Sequence, residues 1–239
     1  AASSNTDSEA KADASAVQTD PANPGNVGVG VAVAINVVTN IAHAYIAKGA
    51  EVTAGALEIS AGMTEIEREN EEGESVTDDT NTYNVSATSG AGAGNVGVAG
   101  ALAINVIVND AKGNLLGTAT IIIPEGSGAD GNVIISAESN NEGTVTAGAD
   151  IKGAGDEAKV GVGASVATTI IINTIIATIE KDAELSGADL NSVTLTASGI
   201  NKNTTTAESG AASTSAVSVN GAVAVVVVVN TVTASIGEL

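Results

Sequence analysis

Four segments of the chain alternate between bulky and small residues with a period of two, which is the period of a β-strand. In residues 27–40, Val or Ile occupies the odd positions from 27 to 37, and Gly, Ala or Asn occupies the even positions from 28 to 36. Related segments of the same length follow at residues 96–109, 160–173 and 217–230, each closed by an asparagine. Neither face carries a charge, so we expect strands that are buried on both faces, as in a layered or parallel sheet.

The residues downstream of each long segment repeat as well. We align Ala44-Tyr45-Ile46 with Ala119-Thr120-Ile121, which leaves about six extra residues in the second copy, from Asp110 to Leu116, as a loop insertion. Residues 49–52 correspond to residues 182–185. Short alternating strands follow at 57–61, 133–137 and 193–197. The closing asparagines are 69, 64 and 57 residues apart, so the length changes fall in loops of a fixed repeat.

This repetition predicts an all-β fold, a parallel β-helix or β-solenoid of about four degenerate repeats, rather than a sandwich or a barrel. The predicted units are a tail of a preceding repeat at 1–24, then 25–93, 94–158, 159–215 and a partial repeat at 216–239. With coils of roughly 20–25 residues stacked about 4.8 Å apart, we expect about ten coils and a rod of about 50 Å. The Val and Ile faces should point inward, and the Gly and Ala faces should lie close to a second layer.

Composition narrows the classes of partner. Aromatic residues make up 1 % of the chain, Cys is absent, and 28 acidic residues against 8 basic ones give a net charge of −20. Such a charge disfavours nucleic acid and anionic membranes, and it allows a bound cation such as calcium. The apolar runs 27–38 and 216–229 are shorter than a membrane-spanning helix, so we expect no membrane insertion. Residues 1–20 lack the basic start and apolar run of a signal peptide, so we expect a piece of a longer exported protein.

The combined signature resembles a known group of proteins. It reads Val-Gly-Val-(Ala/Gly)-x-Ala-x-Ala-Ile-Asn-Val-x-x-Asn, then Ala-x-Ile, Gly-Ala-x-Val-x-Ala-Gly and Leu-x-Ile-x-Ala. It is similar to large bacterial filamentous adhesins of the leukotoxin type, within the haemagglutinin-like β-helical exoproteins. The resemblance covers nearly the whole chain. It implies export to the bacterial cell surface, a right-handed parallel β-helix and a role in attachment to a host or surface receptor.

Asparagines are the most regular polar residues of the repeat. In an asparagine ladder or at a corner, stacked amides bond to one another and tolerate left-handed turns; the alternative is that they line a ligand groove. We favour the ladder, with Asn105 and Asn109 buried and hydrogen-bonded to backbone or to a neighbouring repeat. The predicted ladder residues are Asn36, Asn40, Asn105, Asn109, Asn173 and Asn230.

The acidic run between residues 62 and 82 is predicted to be a projecting loop, because burying so much charge without cations is prohibitive. Carboxylates could bind calcium there, but the spacing of an EF-hand or of a calcium β-roll is absent. The candidate calcium ligands are Glu69, Glu71, Glu72, Asp78 and Asp79, and a weaker acidic group comprises Asp150, Asp156 and Glu157. A solvated loop is the favoured interpretation of both groups, and no other cofactor is expected.

An enzyme is not expected. His43 and Tyr45 lie on one alternation face after the first long strand, but a single His provides neither a nucleophile partner nor a set of metal ligands. The Gly-x-Gly runs lack the Lys-Ser/Thr and the helix of a nucleotide site. We therefore expect a structural and adhesive repeat module of a secreted surface filament, packed against neighbouring repeats. The alternatives are a self-assembling extracellular fibre subunit, with copies joined end to end, and a fragment of a host-directed toxin.

Overall fold

The computed structural model describes residues 1–16, 27–62, 66–69, 73–91, 95–151, 160–211 and 217–237. These residues form an all-β protein, with no helix among them, whose strands pair in parallel except for one antiparallel hairpin. The strands are Ala2–Ser3 (β1), Ser8–Ala16 (β2), Val27–Ile46 (β3), Glu51–Thr53 (β4), Leu57–Gly62 (β5), Ile66–Glu69 (β6), Ser75–Asp78 (β7), Asn81–Ala91 (β8), Val96–Leu115 (β9), Thr120–Ile122 (β10), Asn132–Ile151 (β11), Val160–Ile179 (β12), Glu184–Ser186 (β13), Ser192–Ala211 (β14) and Val217–Ile236 (β15).

The four long apolar segments form one parallel sheet, here called sheet I, in the order β15-β12-β9-β3. Each of its strands has 20 residues, and the pairing runs from one end to the other without a slip. Val27 pairs with Val96, and Val160 pairs with both Val96 and Val217. The sequence alignment of these four segments is therefore confirmed by the register of the sheet.

Two further parallel sheets complete each repeat. Sheet II contains β1, β5, β11, β8 and β2, with β14 paired to the far edge of β11, and sheet III contains β13, β10 and β4. The chain passes from sheet I through sheet III to sheet II and back, so that β9, β10 and β11 are followed by β12. Each repeat therefore adds a whole 20-residue strand to sheet I, about 65 Å long. The expected coils of 20–25 residues, and with them ten coils in a 50 Å rod, are wrong.

The alignment of the region after Asn109 is also wrong. Ala44 pairs with Gly113, and Thr120 pairs with Glu51, so the second repeat carries no insertion between Asp110 and Leu116. The predicted alignment placed Asp110 and Lys112 in a loop insertion. Instead, both residues lie on the outward face of β9, where the strand continues. In this repeat, the connections between β10 and β11 and between β11 and β12 are longer than the corresponding connections of the next repeat, on either side of β14.

Small residues face the interior of the protein, and the Val and Ile faces of sheet I point outward, which reverses the predicted orientation. Val27 is 62 % exposed and Val37 is 67 % exposed, whereas Ala32 is 2 % exposed. The expected close approach of the Gly and Ala faces is confirmed. A Cβ atom on Gly30 would lie 2.6 Å from the carbonyl oxygen of Ala14 and closer still to that of Gly90, both in sheet II. Sheets I and II are so close here that larger side chains fit only on the outside.

The interior widens toward the short strands of sheet III. Alanines fill most of the narrow part, together with Val85 and Val145, whereas the wide part is filled by larger buried aliphatic residues. The latter include Ile59, Leu115, Ile121, Ile123, Val133, Ile135 and Ile175. The core therefore tapers, and its apolar volume is concentrated where three sheets meet.

The acidic segment interrupts one strand of sheet II. Residues 57–61 of β5 and 81–90 of β8 pair with a single continuous strand, β11. Between them, β6 and β7 form the antiparallel hairpin. The interruption is shorter than the predicted loop 62–82, because Gly62 belongs to β5, and Asn81 begins β8 with 3 % exposure.

Candidate functional site

The closing asparagines of the repeats form a hydrogen-bonded ladder along the inner face of sheet I. Asn40 Nδ2 donates to Asn109 Oδ1 at 2.8 Å, and Asn109 Nδ2 donates to Asn173 Oδ1 at 2.8 Å. Asn173 Nδ2 donates in turn to Asn230 Oδ1 at 2.9 Å. The first three side chains are buried and Asn230 is exposed at the end of the sheet. The same side-chain hydrogen bond therefore joins each long strand to the next and fits only one register of the sheet.

A second ladder runs through the opposite sheet and was missed from the sequence. Asn81 Nδ2 donates to Asn141 Oδ1 at 3.2 Å, and Asn141 Nδ2 donates to Asn201 Oδ1 at 3.0 Å. These residues recur every 60 positions, and each is followed six positions later by an alanine. This repeated Asn-x5-Ala motif is the sequence signal that could have identified them. The two ladders are joined, since Asn109 donates to Asn141 at 3.1 Å and Asn173 donates to Asn201 at 2.8 Å.

The other two predicted ladder residues form a shorter column. Asn36 Nδ2 donates to Asn105 Oδ1 at 3.1 Å and to Ser8 Oγ at 2.6 Å. Asn105 is fully buried and donates to the backbone oxygen of Tyr83 at 3.3 Å. The next residue of this column is Thr169, which bonds across the interior to Thr205 at 2.6 Å. The structure thus connects all six asparagines to neighbouring strands, in two columns.

Tyr83 lies within this polar layer and is fully buried. Its hydroxyl accepts a hydrogen bond from Asn40 Nδ2. Burial raises the pKa of the phenol well above its ordinary value of 10.0, an effect that the Asn40 bond partly offsets. A neutral Tyr83 is therefore part of the folded interior.

The outward side chains of sheet I form a continuous hydrophobic surface, here called the apolar face. It comprises the odd positions 27–37 of β3, the even positions 96–108 of β9, the even positions 160–172 of β12 and the odd positions 217–229 of β15. Apart from Gly100, Ala164, Thr168 and Gly221, every one of these positions is Val, Ile or Leu. No charged residue interrupts the face.

The outward face of sheet II has the opposite character. Glu142 lies beside Lys202, and columns of small polar residues follow, in which Thr144 pairs with Thr204 and Thr146 pairs with Thr206. Thr144 and Thr204 are exposed. Each repeat therefore presents one apolar and one polar surface to the outside.

The acidic candidates do not form a described metal site. Glu71, Glu72, Asp156 and Glu157 lie outside the described residues, as do the side chains of Glu69, Asp78 and Asp150. The exposed Asp79 accepts a hydrogen bond from Thr80 at 3.0 Å. Across the described ranges, no group of three potential metal ligands occurs.

His43 takes part in a small charged group at one end of sheet I. Its Nε2 lies 2.9 Å from Asp110 Oδ2, and Lys112 Nζ lies 2.8 Å from the same oxygen. Tyr45 is 61 % exposed on the same side of β3. Asp110 thus pairs with Lys112 and contacts His43 at the surface, where such a pair contributes little to stability.

No protein family, curated protein or solved structure matches this chain. Within the part of the chain that the structure describes, no helix is long and apolar enough to cross a membrane. The geometry of the ladders and of the two outer faces is therefore the basis for assigning a function.

Proposed function

We propose that this chain is a structural module, a segment of parallel β-solenoid within a secreted surface filament. The unbroken ladder from Asn40 through Asn109 and Asn173 to Asn230 is the observation that carries this proposal. In a solenoid, each repeat contacts only its neighbours, so the same bond must recur at the same place in every repeat. An asparagine at one position of each 57–69-residue unit meets that requirement.

The lengths of the repeats support the same conclusion. The hairpin insertion between β5 and β8 and the longer connection after β10 leave the pairing of the flanking strands in register. Length changes are thus absorbed at the periphery while the stacked strands stay aligned. This tolerance is expected of a repeat array whose stability is a sum of nearest-neighbour contacts.

Deletion of one whole repeat tests the solenoid. Removing residues 96–159 would bring Val160 next to β3, in the place that Val96 occupies, and Asn173 next to Asn40. We expect a folded protein of unchanged β-type circular dichroism, with lower stability because one interface is lost. The control deletion, residues 132–159, removes β11 and the residues between it and β12, and it should prevent folding. If the whole-repeat deletion unfolds as completely as the control, the strands do not form a repeat array.

A self-assembling fibre is the second candidate, in which another copy would dock against the edge of sheet I at β15. Val226 and Val228 continue interior columns of sheet I but are 52 % and 44 % exposed in the terminal strand β15. At the same end of sheet II, the amide of Asn203 has both polar atoms buried without a hydrogen-bond partner among the described residues. A further repeat would cover these residues, whether it belongs to the same polypeptide or to another copy.

The two candidates differ in whether isolated copies polymerise. A copy docked end to end would place its Val27 beside Val217 and its Asn40 beside Asn230, which continues the ladder. Such a contact does not close, so it would generate fibres whose length grows with concentration. The variant Val228→Lys should suppress fibre growth. If the unsubstituted protein forms no fibres, the first candidate, a solenoid module within a longer filament, is supported instead.

Attachment to a host or surface receptor is the role that the resemblance to filamentous adhesins adds to this proposal. The polar face of sheet II, with its exposed threonines, is the surface that a stacked array would repeat at regular intervals. Binding of the purified chain to host cells, compared with the charge-altering variant Thr204→Lys on that face, tests the role. Lysis of the cells would instead support the toxin alternative.

A further inference from the structure

The apolar face is too large and too uniform to remain in water. It spans thirteen residues along β9, β12 and β15 and eleven along β3, about 43 Å by 19 Å, or roughly 800 Å². Soluble monomers rarely expose continuous apolar patches above a few hundred Å². Exposure is highest on the edge strand β3, where Val29 is 58 % and Val31 is 61 % exposed.

The chemistry of the face restricts what can cover it. A lipid surface is a poor match, because membrane-binding faces use Lys, Arg, Trp and Phe around their apolar centre, and this face has none of them. The net charge of −20 also opposes approach to anionic lipids. A flat, uncharged, β-branched surface fits another surface of the same kind, as the two layers of a β-sandwich do.

We propose that the apolar face binds the apolar face of a second copy of this chain. Two such faces would bury about 1,600 Å² in total, which is the size of a standard stable interface. The sheets would pack about 10 Å apart, and the contact would be isologous, so that it closes at a dimer. The group of His43, Asp110 and Lys112 continues the same side of sheet I beyond the closing asparagines, where it forms a polar rim.

The acidic residues lie away from this contact. The 28 acidic residues contribute none to the apolar face, so the two copies can meet without burying a carboxylate. Long-range repulsion between two molecules of charge −20 still opposes their approach. Salt screens this repulsion, and we therefore expect association to strengthen as ionic strength rises.

Sedimentation equilibrium of the full chain tests the proposal, with a concentration series at about 50 mM and about 500 mM NaCl. Leu102 and Val166 are paired in the centre of the face, so Leu102→Lys and Val166→Lys would each place two ammonium groups in the closed interface. Each should weaken dimerisation by at least about 100-fold. The matched controls Thr144→Lys and Thr204→Lys add the same charge to the polar face of sheet II and should leave the dimer intact. Circular dichroism verifies that all four variants are folded.

A dimer that the face variants dissociate, that the controls preserve and that salt strengthens supports the proposal. A monomer at all concentrations overturns it, as does a dimer that resists both face variants while they remain folded. Co-flotation of the parent chain with phosphatidylcholine vesicles, lost in Leu102→Lys, would assign the face to lipid and also overturns it. The proposal is independent of end-to-end stacking, since Val228→Lys should abolish fibres and leave the dimer.

Discussion

Replacing Asn109 by Leu tests the contribution of the amide ladder to stability. Leu has a similar volume but neither donates nor accepts hydrogen bonds. The change removes three bonds, since Asn109 accepts from Asn40 and donates to Asn173 and Asn141. Asn40 and Asn141 retain other partners, Tyr83 and Asn81 respectively. The oxygen of Asn173, a residue that is 1 % exposed, loses the donor that Asn109 provides.

The expected loss follows from these contacts. A buried polar atom left without a partner costs about 1–3 kcal/mol, and each net hydrogen bond that is lost adds about 0.5–1.5 kcal/mol. Because Asn40 and Asn141 keep part of their bonding, we expect Asn109→Leu to lower the free energy of unfolding by about 2–4 kcal/mol. The measurement is urea denaturation followed by far-ultraviolet circular dichroism, with the denaturant slope compared between variants.

Asn230→Leu is the matched control at the exposed end of the same ladder. It also removes bonds, which Asn230 accepts from Asn173 and Asn201. However, water can replace Asn230 there, so the expected loss is below about 1 kcal/mol. Equal losses for the two variants would show that position in the ladder is irrelevant and would refute the reasoning. A loss confined to Asn230→Leu would refute it equally.

Three further perturbations test other parts of the structure. Gly30→Ala forces a methyl group onto the carbonyl oxygens of Gly90 and Ala14 and should destabilise the fold by about 2–4 kcal/mol in urea denaturation. Gly148→Ala meets no atom within 4 Å and should be neutral or stabilising, so equal effects would argue against close sheet packing. Because the pKa of Tyr83 is higher in the folded than in the unfolded chain, stability present below about pH 10 should decline as pH rises above it. Tyr83→Phe should remove that part of the alkaline decline, and an unchanged pH profile would contradict the assignment. Replacing residues 62–80 by Glu-Ser-Asn, the three residues found at the equivalent place in β11, should make β5 and β8 continuous. Shorter loop closure should then raise stability by about 1–2 kcal/mol, and loss of folding would show that the hairpin is structural.

The sequence could predict the register because asparagine is costly to bury alone and therefore recurs where it has a partner. Four asparagines at the same place in four aligned segments were sufficient to identify the strands that pair. The ladder of Asn81, Asn141 and Asn201 was missed because the hairpin insertion before Asn81 obscures the similarity of β5 and β8 to the continuous strand β11. The predicted coil length of 20–25 residues was too short, because a single strand of sheet I already has 20 residues. The alignment of Ala44 with Ala119 placed Asp110 and Lys112 in a loop insertion, whereas they occupy outward positions of β9, where charge is accommodated equally well.

The prediction of which face of the long strands points inward was wrong, because hydrophobicity alone does not decide it. Burial favours the larger aliphatic side chains, so the Val and Ile face was assigned to the interior. The small face points inward instead, because sheets I and II lie so close over half the length of the strands that Ala fills most of the space between them, as Gly30 beside Gly90 shows. A protein with this interior must present its β-branched side chains outward, and each added repeat enlarges that surface. Either the apolar face is covered by another molecule or the assembly becomes less soluble with every repeat. The Leu102→Lys variant tests this directly, because a folded variant that is more soluble and monomeric is expected only if the face is an interface.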